Sequence, residues 1–286
     1  MDSSAVAIAI RRLAFAGSLS QEESADAFGM IMQGEATPVQ VASLLTALRV
    51  KGETADEVAG AARALRGAMV RVSADAPADL VDTCGTGGGS VTTFNISTVA
   101  GLLAASLGVR VAKHGNRSFT SQCGSADVLE ALGVPLDATV ERLEHVLASC
   151  GIVFMFAPAM HPAMRHVGPV RRELGIPTVM NIVGPLANPA GAGRQVVGVA
   201  ERHRLPLVAG ALSALGTKHA LVVYGDPGMD EVSPLGPTLV AEIRDGEVRE
   251  WTINPEEYGL SGGTADELRG ARPTENAALS RELLSG

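Results

Sequence analysis

Aromatic side chains make up only 3% of this 286-residue chain, with one Trp and two Tyr, so its core has to be aliphatic. Cysteine is as scarce. Cys84, Cys123 and Cys150 are odd in number and far apart, with no Cys-x-x-Cys pair. That argues against a disulfide framework or a thiolate zinc site and fits a reducing cytoplasm. Cys84 and Cys123 read as small buried thiols. No apolar run approaches the ~20 residues that span a bilayer, and Met1-Asp2-Ser3-Ser4 lacks the positive segment of an export signal. Positive charge is in deficit: the net charge is −8, which disfavours nucleic acid or an anionic membrane as partner. Also missing are the two commonest nucleotide motifs. The sixth position of a dinucleotide fingerprint starting at Gly85 is Ser90, and no lysine closes a P-loop. No Ser/His/Asp triad emerges, and no paired carboxylates mark glycoside hydrolysis.

What is present divides in two along the chain. Residues 1–71 read as about four helices of ordinary length. Ser20-Gln21-Glu22-Glu23 and Thr54-Ala55-Asp56-Glu57 are capping boxes. Thr37-Pro38 is an N-cap followed by proline at the first helical position. Val41, Leu44, Leu45 and Leu48 recur at helical spacing. Ser73–Asp79 reads as a linker, and from Leu80 strands and helices alternate. The strands are expected at Leu80–Val81, Val109–Ala112, Ile152–Phe156, Val196–Val199 and Ala220–Tyr224. The helices are expected at Ile96–Leu107, Ala126–Leu132, Thr139–Ser149, Ala163–Leu174 and Arg204–Leu215. Thr238–Arg244 and Glu247–Ile253, joined by Asp245-Gly246, read as a hairpin with a type I′ turn. The expected fold class is α/β: a small N-terminal helical domain beside a larger domain whose mainly parallel sheet is flanked by helices.

The chemistry concentrates at expected strand ends, where open α/β sheets collect ligands. After Val81 come four glycines in five residues, Gly85, Gly87, Gly88 and Gly89, and then a helix start at Asn95-Ile96-Ser97-Thr98. Glycine lets the backbone approach a ligand, and a helix start offers unpaired N–H groups. Together they read as a cradle for phosphate or diphosphate. The next strand ends in Lys113-His114-Gly115-Asn116-Arg117-Ser118, whose cations suit an anionic ligand. Asp230-Glu231 follows a later strand and suggests Mg2+, which takes few protein carboxylates together with water and phosphate oxygens. His161–Leu174 is a basic helix. Helical spacing does not choose which of its arginines would meet a substrate carboxylate. Bland readings stand beside these: a glycine turn, a solvated charged loop, N-capping by Asn95 and an acidic surface pair. His145, His203 and His219 stand in no motif and read as structural or surface residues.

Gly85-Thr86-Gly87-Gly88, Asn95-Ile96-Ser97-Thr98, Lys113-His114-Gly115-Asn116-Arg117, Gly124–Leu129, Gly184-Pro185-Leu186-Ala187-Asn188-Pro189 and Asp230-Glu231 stand in the order of one family. By these motifs the chain resembles the anthranilate phosphoribosyltransferases of tryptophan biosynthesis, over nearly its whole length. The resemblance implies transfer of phosphoribose from 5-phospho-α-D-ribose 1-diphosphate to the amine of anthranilate, with release of pyrophosphate. It implies a cytoplasmic homodimer formed through the helical domain, residues 1–71 joined in space by part of 160–190, and an α/β domain over 72–286. Carried over by position, the phosphoribosyl diphosphate would meet Gly85, Gly88, Gly89, Thr93, Asn95, Ile96, Ser97, Thr98 and Ser125. It would also meet the run Lys113, His114, Gly115, Asn116, Arg117, Ser118, Phe119, Thr120 and Ser121. Anthranilate would meet Gly85, Asn116 and Arg171, the last through its carboxylate. Ser97, Asp230 and Glu231 would hold Mg2+, two ions, and His114 is the candidate proton acceptor.

Two departures stand out. The family usually has Asp where this chain has Gly89, so Gly89 is the weaker member of the loop. The family also continues past Ser285-Gly286, so its C-terminal helices are expected to be lacking. A pyrimidine-nucleoside phosphorylase would share the architecture, but its Lys-His-Ser phosphate motif is replaced by Lys113-His114-Gly115. A non-catalytic relative that binds nucleic acid would need a basic groove, which the charge of −8 disfavours.

Overall fold

A computed structural model of the chain describes residues 2–118, 122–260 and 263–286. Phe119, Thr120 and Ser121 therefore lie outside the described residues. Four helices open the chain: α1 (Ala5–Ala14), α2 (Gln21–Gln33), α3 (Pro38–Lys51) and α4 (Ala55–Gly67). Each starts on a hydroxyl cap. Ser20, Thr37 and Thr54 all form full capping boxes, with Glu23, Gln40 and Glu57 reaching back to the cap's N–H. Glu57 does more. Fully buried, its carboxylate accepts from the N–H groups of Thr54 (2.8 Å) and Leu19 (2.9 Å) and pairs with Lys51 at 3.0 Å. It thus ties the α1–α2 and α3–α4 connections together.

The sheet has seven strands in the order β3-β2-β1-β4-β5-β6-β7: β1 (Val81–Gly85), β2 (Val111–Gly115), β3 (Ile152–Phe156), β4 (Arg194–Gly198), β5 (His219–Gly225), β6 (Thr238–Arg244) and β7 (Glu247–Ile253). The first five are parallel, and the last two pair antiparallel. The hairpin falls where the sequence puts it. Asp245 (φ 50°) and Gly246 (φ 88°) both take the left-handed conformation that a type I′ turn requires. The chain winds outward from β1 to β3, returns, and continues from β4 the other way. Between β1 and β4 lies the switch point at which ligands collect in such sheets.

Helices α5 (Ile96–Ser106), α6 (Ser125–Ala131) and α7 (Val140–Cys150) follow as expected, within a residue or two. The single helix expected over Ala163–Leu174 is not formed. After α8 (Ala157–Met160), a 3-10 turn over Pro162–His166 precedes α9 (Gly168–Leu174). Pro169 has no N–H to continue the ladder from the preceding turn, whereas in the first turn of a helix that donor is not needed, so a new helix starts here. Helices α10 (Met180–Val183) and α11 (Arg204–Ala214) come next, and a helix the sequence reading did not anticipate, α12 (Pro273–Ser285), packs on α5 and α6.

The main core is continuous. Phe28, Ile31, Leu44, Leu45 and Leu48 of the first helices share one cluster with Val167, Val179 and Ile182 and with Val197 and Val222 of the sheet. Among the described residues no helix is long and apolar enough to cross a membrane.

Candidate active site

A cavity of about 770 Å3 opens over the carboxyl ends of β1, β2, β4 and β5. Its walls gather almost every candidate: Gly85, Gly88, Gly89, Thr93, Asn95, Ser97, Thr98, Lys113 through Ser118, Ser125, Arg171, Asp230 and Glu231. Ile96 is not among the lining residues. A second groove, of about 710 Å3, lies between α11 and the hairpin, away from these strand ends, and holds none of the candidates.

The glycine loop leaves β1 with Gly87 (φ 70°) and Gly88 (φ 80°) in the left-handed region. A Cβ at Gly85 would collide with the Asp230 carboxylate, and one at Gly198 with the Asp230 carbonyl. These two bare positions let the 230–231 segment lie across the ends of β1 and β4. The loop closes on it: the Gly87 N–H donates to Asp230 Oδ2 at 2.7 Å. The Ser90 N–H donates to the Gly228 carbonyl (2.9 Å) and its hydroxyl to the Pro227 carbonyl (2.8 Å). At Gly89 a Cβ would sit 2.7 Å from the Gly228 carbonyl oxygen, so this loop conformation has no room for a side chain there.

Asn95 precedes α5, yet its side chain makes no cap. Instead the Glu231 carboxylate accepts from the Ser97 N–H at 3.1 Å, placing an anion on the helix start. Lys113 is buried. Its ammonium donates to the Thr83 carbonyl and, at 3.2 Å, to the Ser97 hydroxyl. Burial lowers the lysine's proton affinity, and the charges of Asp82 and Glu231 work against that. Asp230 is pushed up by burial, and Glu231 up to about 8 by burial and then by Asp230. Two poorly solvated carboxyl groups therefore sit side by side, Glu231 within the field of Lys113, and a bound divalent cation would favour the charged form of both. Hard oxygen donors from Asp230, Glu231 and the Ser97 hydroxyl suit Mg2+, and one or two carboxylates are its usual protein complement. No cluster of three or more His, Cys, Asp or Glu exists among the described residues, so a closed cage for a softer metal is not built here.

The Arg117 guanidinium is occupied. It pairs with Asp127 (2.8 Å) and Glu130 (2.8 Å), which hold it in its charged form, and it lies 5.8 Å from the Phe156 ring. Arg171 lies across the cavity, where Nη2 reaches Asn181 Oδ1 at a long 3.3 Å, and burial lowers its proton affinity. Arg165 lines the same space but is more exposed, and its Nε donates to His166 at 3.2 Å. His114 Nε2 meets His161 Nε2 at 3.1 Å. Burial first, then His161 and Lys113, push His114 down to about 3, while burial lowers His161 to about 4. A ring of so little basicity is a weak proton acceptor at neutral pH.

Sequence reasoning missed the support beneath. Asp82 is fully buried in β1 and pushed up by burial. It accepts from the His114 N–H (3.2 Å) and from Asn188 Nδ2 (2.8 Å), which also reaches the Ala112 carbonyl (2.8 Å). The signal was available: a lone Asp inside an apolar strand needs buried partners. Of the thiols, Cys123 is buried and Cys84 half-buried.

Two domain models of a glycosyl transferase family match this chain, the helical bundle domain over residues 8–69 and the a/b domain over residues 77–286. The anthranilate phosphoribosyltransferase of Symbiobacterium thermophilum is 48% identical over 97% of this chain and 81% of its own length. Among solved structures, the anthranilate phosphoribosyltransferase of Thermus thermophilus superposes with a TM-score of 0.90 at 45% identity, over 96% of this chain and 82% of that one. The Saccharomyces cerevisiae anthranilate phosphoribosyltransferase in complex with PRPP and Mg gives 0.89 at 30% identity, over 99% and 81%.

Proposed function

The chain belongs to the anthranilate phosphoribosyltransferase family and carries that pentosyl-transfer activity in tryptophan biosynthesis, and from that premise we propose how its residues divide the work. The observation that carries the assignment is the meeting, in one cavity, of the glycine loop, the start of α5, Lys113 and the Asp230-Glu231 pair, with Arg171 across from them.

The diphosphate of the donor lies against the glycine loop and the α5 start, where N–H groups and the helix dipole favour anions. The ribose-phosphate end is held by the loop from Lys113 to Ser118 with Ser125. Asp230, Glu231 and Ser97 would hold Mg2+, a use that the yeast relative's complex with PRPP and Mg supports, and our reading takes it as two ions. When bound there, Mg2+ would supply Lewis-acid neutralisation of the leaving pyrophosphate's charge. Arg171 takes the anthranilate carboxylate and Asn116 helps orient the ring, with Gly85 between the two substrates. The bond from ribose C1 to the diphosphate oxygen breaks as the bond from C1 to the amine nitrogen forms, pyrophosphate leaves with the bonding pair, and the now cationic, acidic nitrogen gives its proton to solvent water. The anthranilate amine is neutral at pH 7, so its lone pair needs no base to free it. Positioning and charge stabilisation carry the rate. The same reading takes residues 1–71, with part of 160–190, as the dimer-forming module of a cytoplasmic homodimer, and 72–286 as the donor-binding unit.

Anthranilate fluorescence followed with phosphoribosyl diphosphate, with and without Mg2+, tests this. Mg2+-dependent consumption is expected. Full turnover by the double variant Asp230→Asn, Glu231→Gln would remove the metal assignment.

A further inference from the structure

Asn95 opens α5 at the cavity wall but spends its side chain elsewhere. Its Nδ2 donates to the Cys123 carbonyl at 3.1 Å, on the loop that follows β2. Its Oδ1 accepts from Asn276 Nδ2 at 3.0 Å, from a residue of α12 far along the chain. Asn276 is only 2% exposed and outside the cavity lining. Its own Oδ1 accepts from the Ala271 N–H at 2.8 Å, which fixes the amide's orientation so that its NH2 must point at Asn95. Just before it, the chain is strapped to the end of the glycine loop. The Phe94 N–H donates to the Leu268 carbonyl at 2.9 Å, and Thr93 and Arg269 form an antiparallel bridge. Gly270 makes this approach feasible, since a Cβ there would strike the Thr93 carbonyl.

From this geometry we propose that Asn276 is a positioning residue for the phosphoribosyl diphosphate site, acting through Asn95. It orients the Asn95 amide, and that amide pins the glycine-loop side of the cavity to Cys123, next to Gly124 and Ser125 on the facing wall. The two anion-binding loops are thereby held at a fixed separation. The inference rests on the donor assignment made above. It concerns the donor, because among the described residues neither Asn95 nor Asn276 hydrogen-bonds Gly85, Asn116 or Arg171, the residues assigned to anthranilate.

The test compares wild type, Asn276→Ala and Ser280→Ala. Ser280 is also buried in α12, and its hydroxyl donates to the Asn276 main-chain carbonyl at 2.7 Å without touching the Asn276 amide, so its loss reports packing of the helix around that residue while the amide keeps its partners. Steady-state kinetics with both substrates, calorimetric binding of inorganic pyrophosphate and Tm are read on each. For Asn276→Ala the KM for phosphoribosyl diphosphate and the pyrophosphate Kd rise about tenfold, while kcat and the anthranilate KM stay within about twofold. Ser280→Ala lowers Tm with both donor constants unchanged. Should Asn276→Ala fail to fold, the isosteric Asn276→Asp keeps the acceptor for Ala271 and removes the donor to Asn95, and the same split is read there. Unchanged donor constants in the folded variant, or an equal rise in Ser280→Ala, overturn the proposal while wild-type turnover stands. A wild-type chain that binds pyrophosphate but consumes no anthranilate overturns the functional reading, and this inference with it.

Discussion

His114 and His161 touch through their Nε2 atoms at 3.1 Å, so one ring donates and the other accepts, and a proton on both would put two cations in contact inside the protein. Burial holds them down to about 3 and about 4, against an ordinary value of about 6.5. Below that ordinary value the unfolded chain takes up protons that the folded chain refuses. The stability owed to the neutral pair is therefore complete above about pH 6.5 and is lost as pH falls toward about 4. Imidazole resonances followed by NMR should show neither ring titrating between about pH 8 and 5, and Tm should fall over the lower part of that range. An inflection near 6.5 from either ring would mean that the pair is solvated and His114 available as a base. Arg171 gives a second prediction. Among the described residues its one side-chain partner is a long bond to Asn181, so Arg171→Ala should leave Tm nearly unchanged and raise the anthranilate KM about tenfold or more. A rise confined to the donor's KM would move the carboxylate assignment elsewhere. Residue types at strand ends made this site legible: Lys113, Asn116 and Asp230-Glu231 all reach the cavity. The fate of each side chain was not legible. Arg117 is consumed by Asp127 and Glu130, and Asn95 by Cys123 and Asn276, through partners that only the fold brings near.

Local patterns at the scale of elements proved readable in proportion to how local their causes are. Capping boxes and the Asp245-Gly246 turn depend on a few neighbouring residues, and both formed where the sequence placed them. The start of α5 depends on a carboxylate more than a hundred residues away, and the Asn95 cap read from sequence gave way to Glu231. Helix α12 was missed because polar caps and weak periodicity say little about a helix that packs on α5 and α6 rather than on the sheet. Thr54→Ala removes the cap of α4, whose hydroxyl accepts from the N–H of buried Glu57, so it should cost about 1 kcal/mol or somewhat more in urea unfolding. The glycine loop offers a sharper test. A methyl at Gly89 meets the Gly228 carbonyl at 2.7 Å, whereas one at Gly88 meets nothing within 4 Å and only strains the backbone. Gly89→Ala should push the 225–230 turn away from the loop at a cost of about 1–3 kcal/mol. Its signature is altered Mg2+ binding through Asp230. If Gly88→Ala disturbs Mg2+ binding and Gly89→Ala does not, the contact with Gly228 is not what shapes this loop.

For the whole molecule, the telling feature is the set of apolar side chains that stay bare. Phe15 is 90% exposed, Val50 81% and Val39 74%, all on α3 or at the end of α1, while Leu107 at the end of α5 is 78% exposed. Scattered apolar residues are ordinary on a monomer, and the large ones bared on this small bundle are what the proposed homodimer would cover. Helix α3 also packs against α9, so a partner seated on this bundle would buttress the segment that carries Arg171 without entering the cavity. A stable pair needs roughly 1,000 Å2 or more of buried surface, within reach of a four-helix bundle. Sedimentation should therefore show a species of twice 29.3 kDa. Its Tm should rise with protein concentration, because association stabilises the folded state by mass action. Phe15→Glu combined with Val50→Glu should give a folded monomer with a lower Tm. Leu107→Glu, on the opposite domain, should leave the dimer intact. The reverse pattern would place the interface on α5 and α12 and would remove the helical bundle from the dimer.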